Sequence, residues 1–125
     1  MASKPTEETC ELFCFNEALV RKLKQGLPDD EELDSAQALF SAFGSTTRLR
    51  ILSCLMQADE LCVCDIANAL DTNLSTVSHQ LRYLRNAGMV AFRSAGKMAF
   101  YRLADPVVPR LLGEALVRKQ RLVAR

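Results

Sequence analysis

Between Leu74 and Arg102 the apolar period changes once, from helical to extended. No other feature limits the possible folds as much. Leu74, Val77, Leu81 and Leu84 recur at i, i+3, i+7 and i+10, which predicts one buried stripe on a helix over residues 74–87. Ser75, Ser78, Arg82 and Arg85 repeat that spacing one residue on, and Thr76, His79, Gln80 and Tyr83 widen this polar stripe. Gly88 ends the helix. Met89–Arg93 and Met98–Arg102 then read as two strands around the turn Ser94-Ala95-Gly96-Lys97. Upstream, Ile66, Ala67 and Leu70 mark a short helix, followed by the turn cluster Asp71-Thr72-Asn73. Helix, short turn, helix and β-hairpin together make a winged helix-turn-helix, mainly α with a hairpin wing. In that fold the second helix of the pair enters the major groove. The expected DNA-facing side chains are therefore Ser75, Thr76, Ser78, His79, Gln80, Arg82 and Arg85, with Lys97 at the wing tip near the backbone.

The charge distribution agrees. The formal net charge is only +1, yet residues 1–71 balance to −7 and residues 72–125 to +8. From Thr72 to Ala104 there is no acidic residue, while Arg82, Arg85, Arg93, Lys97 and Arg102 all fall there. A surface facing phosphates requires such an exclusion of carboxylates.

The chain has 125 residues, the size of one compact domain. No apolar run approaches the roughly 18 to 20 residues of a membrane span. Met1–Glu11 carries three glutamates and one lysine, unlike a secretory signal, so the expected location is the cytoplasm. Residues 1–28 read as an N-terminal arm with a short helix over 16–24, ended by Gly26 and Pro28. Residues 29–125 read as the DNA-binding and dimerisation domain. Asp29-Asp30-Glu31-Glu32 opens a helix at its positive end, with Leu33, Ala36, Leu39, Phe40 and Phe43 at helical spacing, and Gly44 stops it. Ser45 caps the next helix, running to about Ala58. Asp105 can cap a last helix with Pro106 at its first position. Its apolar residues Val108, Leu111, Leu112, Ala115 and Leu116 are the expected dimer surface, together with part of the helix around Leu33–Phe43.

Five cysteines remain: Cys10, Cys14, Cys54, Cys62 and Cys64. Inside a cell they stay reduced, and an odd count argues against complete pairing. Cys54, in the run Ile51–Met56, is expected to behave as a small core hydrophobe. The other four form two close pairs, and thiolates select soft metals. On a regular helix Cys62 and Cys64 would point roughly 200° apart, so a shared ion needs an irregular helix start there. A CxC pair supplies two ligands where a closed tetrahedral site needs four, which makes Cys10 and Cys14 the remaining candidates. A purely structural zinc site uses the same donors. His79, the only histidine, sits on the DNA face and is assigned to polar contact there rather than to metal. A lone histidine without a paired nucleophile or base does not make an enzyme site.

Glu60-Leu61-Cys62-Val63-Cys64-Asp65, Ser75-Thr76-Val77-Ser78-His79-Gln80-Leu81 and Ala87-Gly88-Met89-Val90 resemble the ArsR/SmtB family of metal-sensing repressors. Cys10-Glu11-Leu12-Phe13-Cys14 resembles its CadC-like branch, which senses cadmium, lead and related ions. The resemblance covers about Thr9 to Lys119. It implies a homodimer on an inverted-repeat operator that releases DNA when a soft ion (Cd, Pb, Zn or Bi) binds, derepressing efflux or resistance genes. It also implies that Cys62 and Cys64 of one protomer join Cys10 and Cys14, which in CadC-like dimers come from the other protomer. Some members carry a second site on the last helix, built from Asp-x-His and His-x-x-Glu. Here those positions are Asp105, Val107, Arg118 and Arg121, so no metal site is expected there. The third cysteine of arsenic-sensing relatives is Ala67 here. Two alternatives stay open: an arsenite or antimonite sensor using Cys62, Cys64 and one N-terminal thiol, and a thiol redox switch.

Overall fold

The computed structural model describes residues 15–123, with side chains to Val117. Cys10 and Cys14 lie outside the described residues. The chain divides into two units, residues 1–33 and 34–125. In the first, α1 (Glu17–Gly26) starts where the Asn16 side chain accepts a hydrogen bond from the Leu19 N–H at 3.0 Å. Its residues Leu19 and Leu23 are exposed. Asp29 caps the next helix, α2 (Asp30–Phe43), accepting from the Glu32 N–H at 2.8 Å.

In the second unit the order after α2 is α3 (Thr46–Leu55), β1 (Leu61–Cys62), α4 (Val63–Ala69), α5 (Leu74–Asn86), β2 (Val90–Ala95), β3 (Met98–Leu103) and α6 (Val107–Val123). This is a winged helix-turn-helix. Ser45 caps α3 by accepting from the Arg48 N–H at 3.3 Å. That helix ends at Leu55, a few residues before the expected Ala58, and the chain straightens to form β1. The two-residue β1 was not foreseen. It adds a third strand in the order β1-β3-β2, with Leu61 opposite Tyr101 and Cys62 opposite Phe100. The wing hairpin is longer than expected, with Ala95 opposite Met98, so its turn is only Gly96-Lys97. Gly96 has φ +61°, which a tight hairpin turn needs and glycine tolerates.

Both helices of the motif end alike. After α4, the Thr72 N–H bonds Ala67 O and the Asp71 N–H bonds Asn68 O, with Asp71 left-handed at φ 52°. After α5, the Met89 N–H bonds Leu84 O and the Gly88 N–H bonds Arg85 O, with Gly88 at φ 78°. These are Schellman closures. The first makes the turn between the helices, and the second sends the chain from α5 into the wing.

The core joins every element of this unit except β1: Ala42, Ile51, Leu52, Leu55, Ile66, Ala67, Val77, Leu81, Leu84, Met89, Val90, Tyr101, Val108 and Leu112. Leu61 of β1 packs against its edge. Among the described residues no helix is long and apolar enough to cross a membrane.

Candidate nucleic-acid interface and thiol pair

Helix α5 begins at Asn73, whose side chain accepts from the Thr76 N–H at 2.8 Å. Val77, Leu81 and Leu84 are fully buried and fix its inner face. Leu74 does not complete that stripe. It is 51% exposed, because at the first turn the helix has already passed the edge of the core. Ser75, His79, Arg82 and Arg85 are exposed, while Thr76, Ser78 and Gln80 are half-buried. Lys97 is exposed at the wing turn. The Arg85 guanidinium lies over the Phe92 ring, 4.5 Å from its centre, and so ties α5 to the wing.

Arg93 is committed elsewhere. It pairs with the Glu60 carboxylate and lies over the Phe100 ring at 4.6 Å. The hydrogen bond from Arg93 holds Glu60 below the usual carboxylate range and raises Arg93 in turn. The pair is therefore intact at neutral pH and lost only as pH falls through the lowered Glu60 value. Sequence reading missed Arg48. It donates to Ser41 O (2.7 Å), Ala42 O (3.0 Å) and Gln80 Oε1 (3.1 Å), and lies 4.2 Å from the centre of the Tyr83 ring.

Cys62 is the last residue of β1 and, in extended conformation, the cap residue of α4. Cys64 is the second residue of that helix. Cys62 thus stands just outside the helix, as an N-cap normally does, and the roughly 200° separation of a regular helix does not apply between it and Cys64. Cys62 is 5% exposed and Cys64 is exposed. Both line a cleft of about 240 Å³ with Val63, Leu74, Ser78, Lys97, Met98 and Ala99. The thiol pair therefore shares a cleft with the start of α5 and the tip of the wing. Among the described residues no group of three or more His, Cys, Asp or Glu converges on one point. Cys62 and Cys64 supply two soft donors, half of a closed tetrahedral set. Cys54 is not a core residue: it is half-buried, beside Leu61, Asp65 and Ala69, and burial pushes its thiol up.

Asp105 accepts from the Val107 N–H at 2.9 Å, the geometry of a cap. On α6 the expected dimer face splits in two. Val108 and Leu112 are buried in the protomer's own core, because the helix packs that edge inward. Leu111, Ala115 and Leu116 remain exposed. On α2, Phe40 is 63% exposed.

Residues 45–91 match the family model described as bacterial regulatory protein, arsR family. A "Cadmium resistance transcriptional regulatory protein CadC homolog" from Staphylococcus aureus is 34% identical over 119 residues, 95% of this chain and 98% of that protein. The crystal structure of the AntR antimony-specific transcriptional repressor aligns with TM-score 0.73 at 30% identity, over 79% of this chain and 89% of that one. The solution structure of a homodimeric winged helix-turn-helix DNA-binding domain from Mycobacterium bovis aligns with TM-score 0.68 at 33% identity, over 78% and 92%. These relatives are transcriptional regulators, not enzymes. The chain belongs to the ArsR family of bacterial transcriptional regulators.

Proposed function

We propose that this regulator is a soft-metal-responsive repressor. A homodimer reads an inverted-repeat operator through α5 and the wing, and releases it when cysteine thiolates take up cadmium, lead, zinc or bismuth. The observation that carries the reading is the position of Cys62. It ends the strand paired with wing strand β3 and begins α4, the helix packed against α5. A displacement of Cys62 therefore reaches the wing through its pairing with Phe100 and reaches α5 through α4. Cys62 and Cys64 hold the ion from this side, and Cys10 and Cys14 complete the donor set. A bound soft ion supplies a crosslink between those two segments. The chain so drawn together favours a dimer whose recognition helices no longer match major grooves about 34 Å apart. The cadmium-resistance name of the Staphylococcus aureus relative supports this reading. The antimony-specific neighbour supports a second one, three-sulfur binding of arsenite or antimonite by Cys62, Cys64 and one N-terminal thiol.

The test titrates the reduced full chain, on duplex DNA selected from a random-sequence pool, with each ion in turn. Thiolate–metal absorption and DNA release are recorded together. Both should rise together, with four thiolates per ion for the leading reading and three for the second. Release by peroxide without any metal would replace both with a redox switch.

The DNA-facing arginines carry their own expectation. Arg82→Ala or Arg85→Ala should weaken binding and lower the slope of log affinity against log salt by about 0.9 for each phosphate that is no longer neutralised. Arg85→Ala also gives up the stacking on Phe92, so its effect should be the larger. Unchanged affinity and slope in both variants would remove Arg82 and Arg85 from the DNA-facing set.

A further inference from the structure

Arg48 is a cation that spends its charge on neutral groups. Its Nη2 and Nε donate to the carbonyls of Ser41 and Ala42 at the end of α2, and its Nη1 donates to Gln80 Oε1 on α5. Its Cζ lies over the Tyr83 ring on the same helix, 4.2 Å from the ring centre. Helix C-terminal carbonyls lack intrahelical partners and favour a cation. One guanidinium thus links the end of α2 to the middle of α5 by three hydrogen bonds and a cation–π contact. A lysine could not reproduce this, since an ammonium has no planar fork.

The link has a chemical consequence for Gln80. A guanidinium is a donor only, so the amide must turn its oxygen toward Arg48. Its nitrogen is then the end left to face away from Arg48. Gln80 is half-buried, so part of its side chain stays open to solvent.

Building on the DNA-reading proposal above, we infer that Arg48 is a specificity-positioning residue. It holds Gln80 with the amide N–H groups outward, so that Gln80 reads a hydrogen-bond acceptor on a base edge. Arg48 touches no DNA. Its charge is already engaged by carbonyls and a ring, and its neutralisation of phosphate is not part of binding.

The experiment selects bound duplexes from a random-sequence pool with the wild-type chain, Arg48→Met, Arg48→Lys, Gln80→Met and the double variant. Arg48→Met and Gln80→Met should lose base preference at the same position of each half-site and keep the rest of the motif. The double variant should resemble either single one, and Arg48→Lys should not restore the lost position. Affinity for the selected duplex should fall about 2- to 13-fold in each, the worth of one neutral hydrogen bond. The salt slope should stay at the wild-type value. A slope lowered by about 0.9 in Arg48→Met would make Arg48 a phosphate contact and overturn the inference. An Arg48→Met motif identical to wild type, or losses that add in the double variant, would overturn it as well. If Arg48→Met does not fold, as judged by circular dichroism, Gln80→Met with an intact motif is sufficient to reject it. Failure of the wild-type chain to select any sequence would instead reject the DNA-reading proposal itself.

Discussion

Cys62→Ser and Cys10→Ser, each in the full chain, should hold operator DNA as tightly as wild type and keep holding it when cadmium or lead is added. Wild type should lose about 5- to 150-fold in affinity under the same addition, the usual range of coupling between two sites. Serine keeps the size of cysteine and removes the soft thiolate. At Cys62 the backbone role, closing β1 and opening α4, needs no sulfur, so the fold survives the change. Cys64→Ser should behave like Cys62→Ser. Cys14→Ser separates three-sulfur from four-sulfur binding, retaining release by an ion satisfied with three. Cys54→Ser should release normally. Its thiol lies away from the Cys62 cleft and is pushed toward its protonated form by burial. Release should also weaken as pH falls, because protons compete with the ion for sulfur. Full release of DNA by both Cys10→Ser and Cys62→Ser at wild-type ion concentrations would end the thiolate mechanism while leaving the fold untouched.

What the sequence could show was set by period and by local caps. Val77, Leu81 and Leu84 bury as their spacing requires, and Asn73 and Gly88 bound α5 by chemistry confined to a few residues. The β1 strand was illegible, since two residues carry no period, and it forms only because β3 offers an edge. Leu74 and Cys54 were misplaced for a related reason. Hydrophobicity marks a residue as suited to a core but does not say where the core stops. Arg93 and Arg48 were hidden by distance. Glu60 lies 33 positions from Arg93, and Gln80 lies 32 positions from Arg48. The candidate DNA side chains on α5 could be named as a group because they share one helix, and Lys97 because it falls at the hairpin turn. The thiol pair could be read as a pair, but its setting between wing and recognition helix depended on the third strand.

The α6 face shows how a correct period leads to two different surfaces, and it sets the second large expectation. Val108 and Leu112 are fully or nearly fully buried within one protomer, so Leu112→Glu would force a carboxylate into that core. It should unfold the chain and says nothing about pairing. Phe40 on α2 and Leu116 on α6 are different. They are 63% and 56% exposed, and neither belongs to the protomer core. Phe40→Glu and Leu116→Glu should therefore leave circular dichroism and the melting temperature near wild type. If a second copy covers these positions, each variant places a carboxylate in a contact that must desolvate it. The dimer should then give way to monomer in sedimentation velocity. A monomer engages one half-site and forgoes the gain from linked binding, so operator affinity should drop by roughly 10²- to 10⁴-fold. Half-site affinity should stay unchanged, because α5 and the wing are intact. A folded, stable dimer with wild-type operator affinity in both variants would place the pairing surface on other residues.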